Sequence, residues 1–380
     1  MNFPLLRSRR IRGSSSWALF LCLLTLTLCV PATTSTTIHS PDGDIIDCTD
    51  ILAQPSFSLP LLKDHKLQEV PRDLPNTAQN EDGVSGWQIW NGGNGLRCPK
   101  GTIPIRRFQA EETGNFTERH EYAVERLNST ANIYGTKFTM TVGHPKVAHA
   151  EEFSLGQTWL TSGSFEGGDL NTIEAGWQVF LTLYFDNQAR LFIYWTNNAY
   201  ASGSCYNLRC PGFIQTSGNV LVEGAIHPHT EAITIQIWKD PNLGHWWLSV
   251  GPNSGTVLVP VGYWPNKIFT RLNDHAQKVV WGGEIVDTNV SSQHTTTQMG
   301  SGYRRSARAA YMRDLEIMVN THSFQPIGDV TVIKTNAAYY SILKTSDTSF
   351  TYGGPDYAGT VHLRVNVVFL CFCFSLLFLF

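Results

Sequence analysis

From about residue 132 to residue 335, short runs rich in β-branched and aromatic residues alternate with Gly, Asn, Asp and Pro. The runs include Phe138–Val142, Trp177–Tyr184, Leu191–Trp195, Ile233–Trp238, Trp246–Val250, Val279–Val286 and Asp329–Ile333. A helix needs apolar residues at three- and four-residue spacing over a long window, and no long stretch here supplies them. Ile233, Ile235 and Ile237 alternate with Thr234 and Gln236, the period of two expected of a half-buried strand. Asp240-Pro241-Asn242-Leu243-Gly244, set between two runs, predicts a hairpin turn. The expected fold is all-β, an antiparallel two-sheet β-sandwich. Eleven tryptophans and thirteen tyrosines suit its core and rim.

The two ends read differently. Arg7, Arg9, Arg10 and Arg12 form a positive start, Trp17 to Val30 is a short apolar run, and Val30-Pro31-Ala32 offers small residues for cleavage. The run holds about 14 residues, short of the roughly 20 needed to span hydrocarbon. Residues 1–32 are therefore expected to be a cleaved secretory signal, and the protein extracellular or vacuolar. Losing the four arginines moves the formal charge from −3 to about −7. With no basic block, nucleic acid is excluded as a partner. At the other end Val365–Phe380 is almost wholly apolar, preceded by the small residues Ala358, Gly359 and Thr360. The spacer between them is shorter than the usual 8–12 or so residues, yet the pattern resembles a GPI-anchor signal. Membrane anchoring through this tail is one expectation, and an atypical chain end is the other.

Of eight cysteines, Cys22 and Cys29 leave with the signal and Cys371 and Cys373 lie in the tail. Cys48, Cys98, Cys205 and Cys210 remain, an even number that argues for two disulfides in an exported chain. Proximity favours Cys205 with Cys210, which leaves Cys48 with Cys98. No zinc-like spacing appears, so no metal is expected. Asn115, Asn128 and Asn289 head glycosylation sequons and mark expected surface. The layout is a signal (1–32), a small module with a polar linker (33–130), a β-sandwich (131–335), its extension (336–364) and the tail (365–380).

The chain has no GxSxG elbow, no HExxH and no GxxxxGK[ST] loop. Two carboxylates stand out, in strings rich in glycine and tryptophan: Glu174 in Asn171-Thr172-Ile173-Glu174-Ala175-Gly176-Trp177, and Glu284 in Trp281-Gly282-Gly283-Glu284. A period of two puts Glu174 on one face with Gly176 and Gln178, and Glu284 with Gly282, while Trp177, Val179, Trp281 and Ile285 face the other way. Glycine beside a carboxylate lets another backbone approach, as a substrate groove requires. Gln178, Gly282 and Gly283 are expected to line that groove. The bland alternative is two solvated glutamates on strands.

These strings resemble the neprosin family, plant secreted glutamic peptidases, over nearly all of the chain after the signal. The small module is similar to the family's activation peptide in Asp42-Gly43-Asp44-Ile45-Ile46-Asp47-Cys48, Pro60-Leu61-Leu62-Lys63-Asp64-His65-Lys66 and Cys98-Pro99-Lys100-Gly101-Thr102-Ile103-Pro104-Ile105-Arg106-Arg107. The large region matches in Glu152-Phe153-Ser154-Leu155, both glutamate strings, Tyr194-Trp195-Thr196, Cys205-Tyr206-Asn207-Leu208, Gly262-Tyr263-Trp264-Pro265 and His294-Thr295-Thr296-Thr297-Gln298-Met299-Gly300-Ser301-Gly302. The chain departs at Leu59, where the family often has His. It also departs near Ala337, Ala338 and Tyr339 and after Gly353-Gly354-Pro355, where the family commonly has cysteines, and in its apolar tail.

The resemblance implies a catalytic pair, Glu174 and Glu284, cutting protein or peptide substrates after proline at acidic pH, with no cofactor. It also implies a zymogen inhibited by its own pro-domain, in the cell wall, apoplast or vacuole. The chemistry expected of the pair is a shared proton between carboxylates on adjacent strands, one ionised and activating water. Two other readings use the same residue types: a glycoside hydrolase on a β-sandwich, and a non-catalytic wall- or glycan-binding protein with aromatic platforms.

Overall fold

The computed structural model describes residues 36–72, 86–92, 96–108, 118–202, 204–253, 257–288, 293–319 and 323–356. The expected signal, the apolar tail, Asn115 and Asn289 lie outside the described residues. Asn128 is exposed.

The chain begins with a three-stranded sheet of β1 (Thr37–His39), β2 (Ile45–Asp50) and β3 (Thr102–Arg106). Next come β4 (Arg119–Leu127), β5 (Ile133–Thr141), β6 (Phe153–Ser162) and β7 (Asn171–Phe180), a helical turn α1 (Leu181–Tyr184), β8 (Arg190–Thr196), β9 (Ser204–Tyr206) and β10 (Ile214–Gln215). They are followed by β11 (Ala232–Lys239), β12 (Trp246–Pro252), β13 (Val259–Trp264), β14 (Lys278–Asp287), β15 (Met299–Gly300) and β16 (Ala310–Val319). The last are β17 (Gln325–Pro326), β18 (Val330–Lys334), β19 (Ser341–Ser346) and β20 (Ser349–Gly354).

Two antiparallel sheets make the sandwich. The seven-stranded sheet runs β18-β4-β14-β6-β7-β8-β9. The ten-stranded sheet runs β10-β13-β12-β11-β5-β16-β20-β15, with β17 against β16 and β19 against β20. Ile173, Ala175, Trp177 and Val179 of β7 and Trp281 and Ile285 of β14 enter the core, as the period of two requires. Every described tryptophan except Trp159 is buried. The turn after β11 forms as expected: Asp240 Oδ1 accepts from the amides of Asn242 and Leu243, and Gly244 closes it at φ +73°.

Three local expectations change. The run Trp177–Tyr184 does not stay extended, because Leu181–Tyr184 coil into α1. The Ile233–Ile237 strand is buried on both faces: Trp238 stacks on Trp247, Trp247 packs on Tyr263, and His65 and Gln68 of the N-terminal module cover Tyr263. Part of the stretch read as a polar linker, Arg119–Leu127, is β4, paired along both its edges. Its acidic residues misled because they are buried on the inner face: Glu121 bonds the Arg119 guanidinium at 3.1 Å and His294 at 2.9 Å, and Glu125 is 0% exposed.

Both expected disulfides form, Cys48–Cys98 and Cys205–Cys210. The first staples the N-terminal module, which also sends Leu62, Trp87 and Ile103 into the main core. Polar contacts complete that docking. Asp44 accepts from Arg190 at 2.7 Å, Ser56 donates to the Phe213 carbonyl at 2.5 Å, and Gln54 exchanges bonds with the Gln215 backbone. The two segments lacking family cysteines are neighbours, since a Cβ on Gly354 would meet the Tyr339 carbonyl.

Glu125 of β4 is an anomaly in this core. It is 0% exposed, and neither carboxylate oxygen has a hydrogen-bond partner among the described residues. Burial pushes its carboxyl up to about 7, with the charge of Lys344 opposing. An acid raised in the fold stabilises fully below its unfolded value of 4.5 and loses that contribution as pH rises through 7. Glu125→Gln should therefore raise the melting temperature more at pH 7.5 than at pH 4.5, by the equivalent of about 2 kcal/mol. Calorimetry at the two pH values checks this, and equal shifts would refute it.

Candidate active site

Cross-strand partners share a face, so the register maps the outer surface of the seven-stranded sheet. Glu174 lies opposite Tyr194 on β8 and Trp159 on β6. Glu284 lies opposite Leu155 on β6 and Tyr122 on β4. Both glutamates therefore sit on one face, away from the tryptophan core. Their strands are not adjacent, contrary to expectation, because β6 runs between them. The pair is diagonal across β6, with Gln157 at the midpoint between Trp159 and Leu155. Two strand spacings, about 9.5 Å, separate the backbones across the sheet.

Each carboxylate has its own partners. Glu174 Oε1 accepts from the Thr172 hydroxyl at 2.8 Å and the Tyr200 hydroxyl at 2.9 Å, and Oε2 accepts from Gln157 Nε2 at 3.0 Å. Glu174 is 6% exposed, and burial, the largest cause, pushes it up to about 7. The charge of Glu284 adds to that rise, and the three donors oppose it. Glu284, 5% exposed, accepts from His120 Nδ1 at 2.5 Å. Burial opposes a charge on His120, but the Glu284 carboxylate overrides it and pushes the imidazole up to about 9. Desolvation and neighbouring carboxylates raise the hydroxyls of Tyr122 and Tyr200, which stay protonated donors. The arrangement is thus a buried carboxyl raised to about 7 and, across β6, a second glutamate bonded to an imidazole raised to about 9. The two glutamates have separate hydrogen-bond partners, while the charge of Glu284 still contributes to the rise of Glu174.

Aromatic rings wall the site. Tyr194 packs on Tyr200 and Tyr206, Trp159 on Tyr122, and Phe153 on His120 and Phe180. Phe153, Leu155, Phe192 and Val286 form an apolar floor separate from the main core.

The other groove residues fall differently. Gln178 shares the Glu174 face but is wholly buried, accepting from the Tyr184 hydroxyl at 3.1 Å. Gly282 is on the Glu284 face, and the backbone that approaches it is Ala123 of β4. A Cβ on Gly176 would likewise overlap the Gly156 carbonyl of β6. These glycines admit neighbouring strands rather than a ligand. Gly283 is on the opposite face: a Cβ there would strike the Tyr352 ring and Met299. Gly156 receives the Tyr352 hydroxyl and Trp177 in the same way.

Sequence reasoning missed Gln157, His120 and Tyr200. Gln157 sits in the run Phe153–Ser162 on the face of Phe153, Leu155 and Trp159, which its sequence presents as the apolar one. His120 and Tyr200 reach the site from a misread linker and a loop. Glu121, Asp287 and His294 also converge within 4.8 Å behind the sheet, a grouping of metal-binding residue types. The Arg119 guanidinium already bridges Glu121 and Asp287, which makes it an ion-pair network. Nearby Glu152 accepts from the hydroxyls of Thr295 and Thr297, tying the His294 string to β6.

The neprosin family profile matches residues 150–355, and the neprosin activation peptide profile matches residues 37–150. Among solved structures, the chain is similar to scytalido-glutamic peptidase bound to a peptide-based transition-state analogue. Identity is 9%, coverage is 63% of this chain and 99% of that one, and the TM-score is 0.37. It is also similar to SCP-B, an Eqolisin-family peptidase in complex with the tripeptide Ala-Ile-His. Identity there is 8%, with 63% and 99% coverage and a TM-score of 0.35. These likenesses are too distant for residue-by-residue correspondence. The family profiles cover the site and the N-terminal module together, and decide among the three readings: the chain belongs to the neprosin family, a glutamic-type peptidase with its activation peptide.

Proposed function

We propose that the chain is a secreted zymogen whose mature form cuts peptide bonds after proline in acid, with Glu174 as acid and Glu284 as base. The observation that carries this reading is the unequal setting of the two glutamates. Glu284, as carboxylate, takes a proton from water while the water oxygen attacks the scissile carbonyl carbon. Glu174, as carboxylic acid, polarises the carbonyl and then protonates the leaving nitrogen as the C–N bond breaks. Two strand spacings leave room for a water and a peptide group between them. Gln157, fixed to Glu174, presents an unpartnered buried Oε1 suited to orienting that water. The rings of Tyr194, Tyr200 and Trp159 are flat apolar surfaces suited to a pyrrolidine ring. Two disulfides support an oxidising compartment.

Glu174→Gln and Glu284→Gln should each lower kcat on a proline-containing peptide at least about a hundredfold, with folding kept. Glu316→Gln, on the other sheet and paired with Lys137, is the control. A folded, fully active variant at either glutamate would remove that residue from catalysis. Activity should also fall as pH rises through about 7, where Glu174 loses its proton. An alkaline limb that persists unmoved in variants of Tyr200 and Thr172, which bond Glu174, would count against this assignment.

Acid activation has a physical basis in the module interface. His65 Nε2 meets the Tyr263 hydroxyl at 2.8 Å, and the rings of His65 and His245 lie 5.2 Å apart, with His245 stacked on Tyr263. Burial lowers both histidines, His245 to about 4, with Lys267 adding to each and Lys239 to His245; Asp240, bonded to Gln68, opposes at His245. A histidine lowered in the docked state favours docking fully above its free value of 6.5 and loses that contribution as pH falls towards 4. Hydrogen exchange in Glu174→Gln protein should show residues 54–68 losing protection between pH 6.5 and 4. His245→Gln should blunt that loss. Undiminished protection at pH 4 would rule the histidine pair out as trigger.

A further inference from the structure

His120 holds an unusual position. It lies on β4 opposite Val286, one step along the face from the Glu284–Tyr122 pair. Its Nδ1 meets Glu284 Oε1 at 2.5 Å and its Nε2 meets Glu118 Oε1 at 3.3 Å. A neutral imidazole carries one N–H and donates to one acceptor. A ring with a carboxylate at each nitrogen is satisfied only as the imidazolium, which donates from both. The ring is also held in plane, stacked on Tyr122 with 15° between planes and edge-on to Phe153. The charged and titratable groups facing it are Glu118, just before β4, Tyr122 on its own strand and Glu284 on β14. Phe153 from β6 brings no charge. Arg119 and Glu121 engage Asp287 and His294, on the other face of the sheet.

We infer that His120, clamped as an imidazolium between Glu118 and Glu284, is a positioning residue that keeps Glu284 an oriented carboxylate and so fixes it as the base. This rests on the peptidase reading above. Glu284 lies 5% exposed over the apolar floor of Phe153, Leu155 and Val286. The His120 ring, with Nδ1 at 2.5 Å, fixes its Oε1 above that floor. Glu118 is half exposed and plays the part of the third group in a relay, holding the ring's far nitrogen. The order Glu118–His120–Glu284 resembles the carboxylate–imidazole–nucleophile order in which the middle ring is oriented from behind, but here a carboxylate base stands at the reacting end.

The test pairs kinetics with a readout that needs no catalysis. In acid-activated enzyme, His120→Gln keeps a donor and loses the charge. It should lower kcat at pH 4–5 by about tenfold or more, with KM little changed. The acid limb of the kcat profile should move up by about one pH unit, the size of a lost neighbouring charge. Glu118→Gln, at an exposed site without a folding role, should move the same limb the same way by less. In full-length Glu174→Gln protein, nitrogen NMR should find both His120 nitrogens protonated at pH 7.5, and Glu284→Gln should bring that titration down towards 6.5. Failure of peptidase activity would leave the NMR result standing and would count against the function, not the clamp. A neutral His120 at pH 7, an unmoved acid limb in both variants, or a faster His120→Gln enzyme, as a blocking ring would give, overturns the inference.

Discussion

A strand must send alternate residues to opposite faces, and the site depends on that constraint being met on β7 and β14 at once. Trp177 and Trp281 go inward and anchor their strands in the core. Glu174 and Glu284 are thereby forced outward onto a surface that rings and aliphatic side chains keep nearly dry. Dryness then differentiates the two carboxylates. One meets only neutral donors, from Thr172, Tyr200 and Gln157, and burial raises it. The other meets a cation. The acid and base roles proposed above rest on these separate neighbours, Thr172, Tyr200 and Gln157 for Glu174 and His120 for Glu284.

The same sheet explains how the activation module relates to the enzyme. The activation-peptide match runs to residue 150, yet β4 and β5 within it are built into the two sheets. β4 also carries His120 and Tyr122 to the site. The portion outside the sandwich is the three-stranded sheet with its stapled turns, ending before residue 118. That portion is not loosely tethered, because Leu62, Trp87 and Ile103 belong to the main core and Asp44 is bonded to a wholly buried arginine. Its separation from the enzyme requires exposing apolar surface, so a change of charge at the His65–His245 contact acts against a substantial cohesive interface.

Much of this was readable from residue order, for identifiable reasons. Runs with an apolar face and turn residues at their ends, such as Ile233–Trp238 and Trp246–Val250, became strands. Both disulfides followed from export and proximity. Glu174 and Glu284 stood out because glycine and tryptophan beside a carboxylate are uncommon company. Charged strands were not readable: Arg119–Leu127 buries Glu121 and Glu125, and Ala310–Val319 carries exposed Arg313 and Asp314, in runs that only the partner strands explain. Nor does a single sequence reveal that β6 lies between β7 and β14, since long-range strand order is set by packing. Gly283 was misplaced by proximity alone, because the residue next to a face-out glutamate must face in.

The glycines behind the site carry a consequence for how this enzyme can vary. Gly156 and Gly283 have Tyr352 pressed into them, and Gly143 receives the ring of Trp177. Tyr352 belongs to the hairpin that closes the ten-stranded sheet, far along the chain from the glutamates. The height at which β6 and β14 present their outer residues is therefore set from behind, by a ring on a distant element. Sequence drift should be asymmetric as a result. The aromatic wall in front can exchange rings and retune which peptides fit, while the glycine–tyrosine contacts behind tolerate almost no added atom. Directed evolution of specificity has its freedom on one face of a single sheet and meets a rigid template on the other.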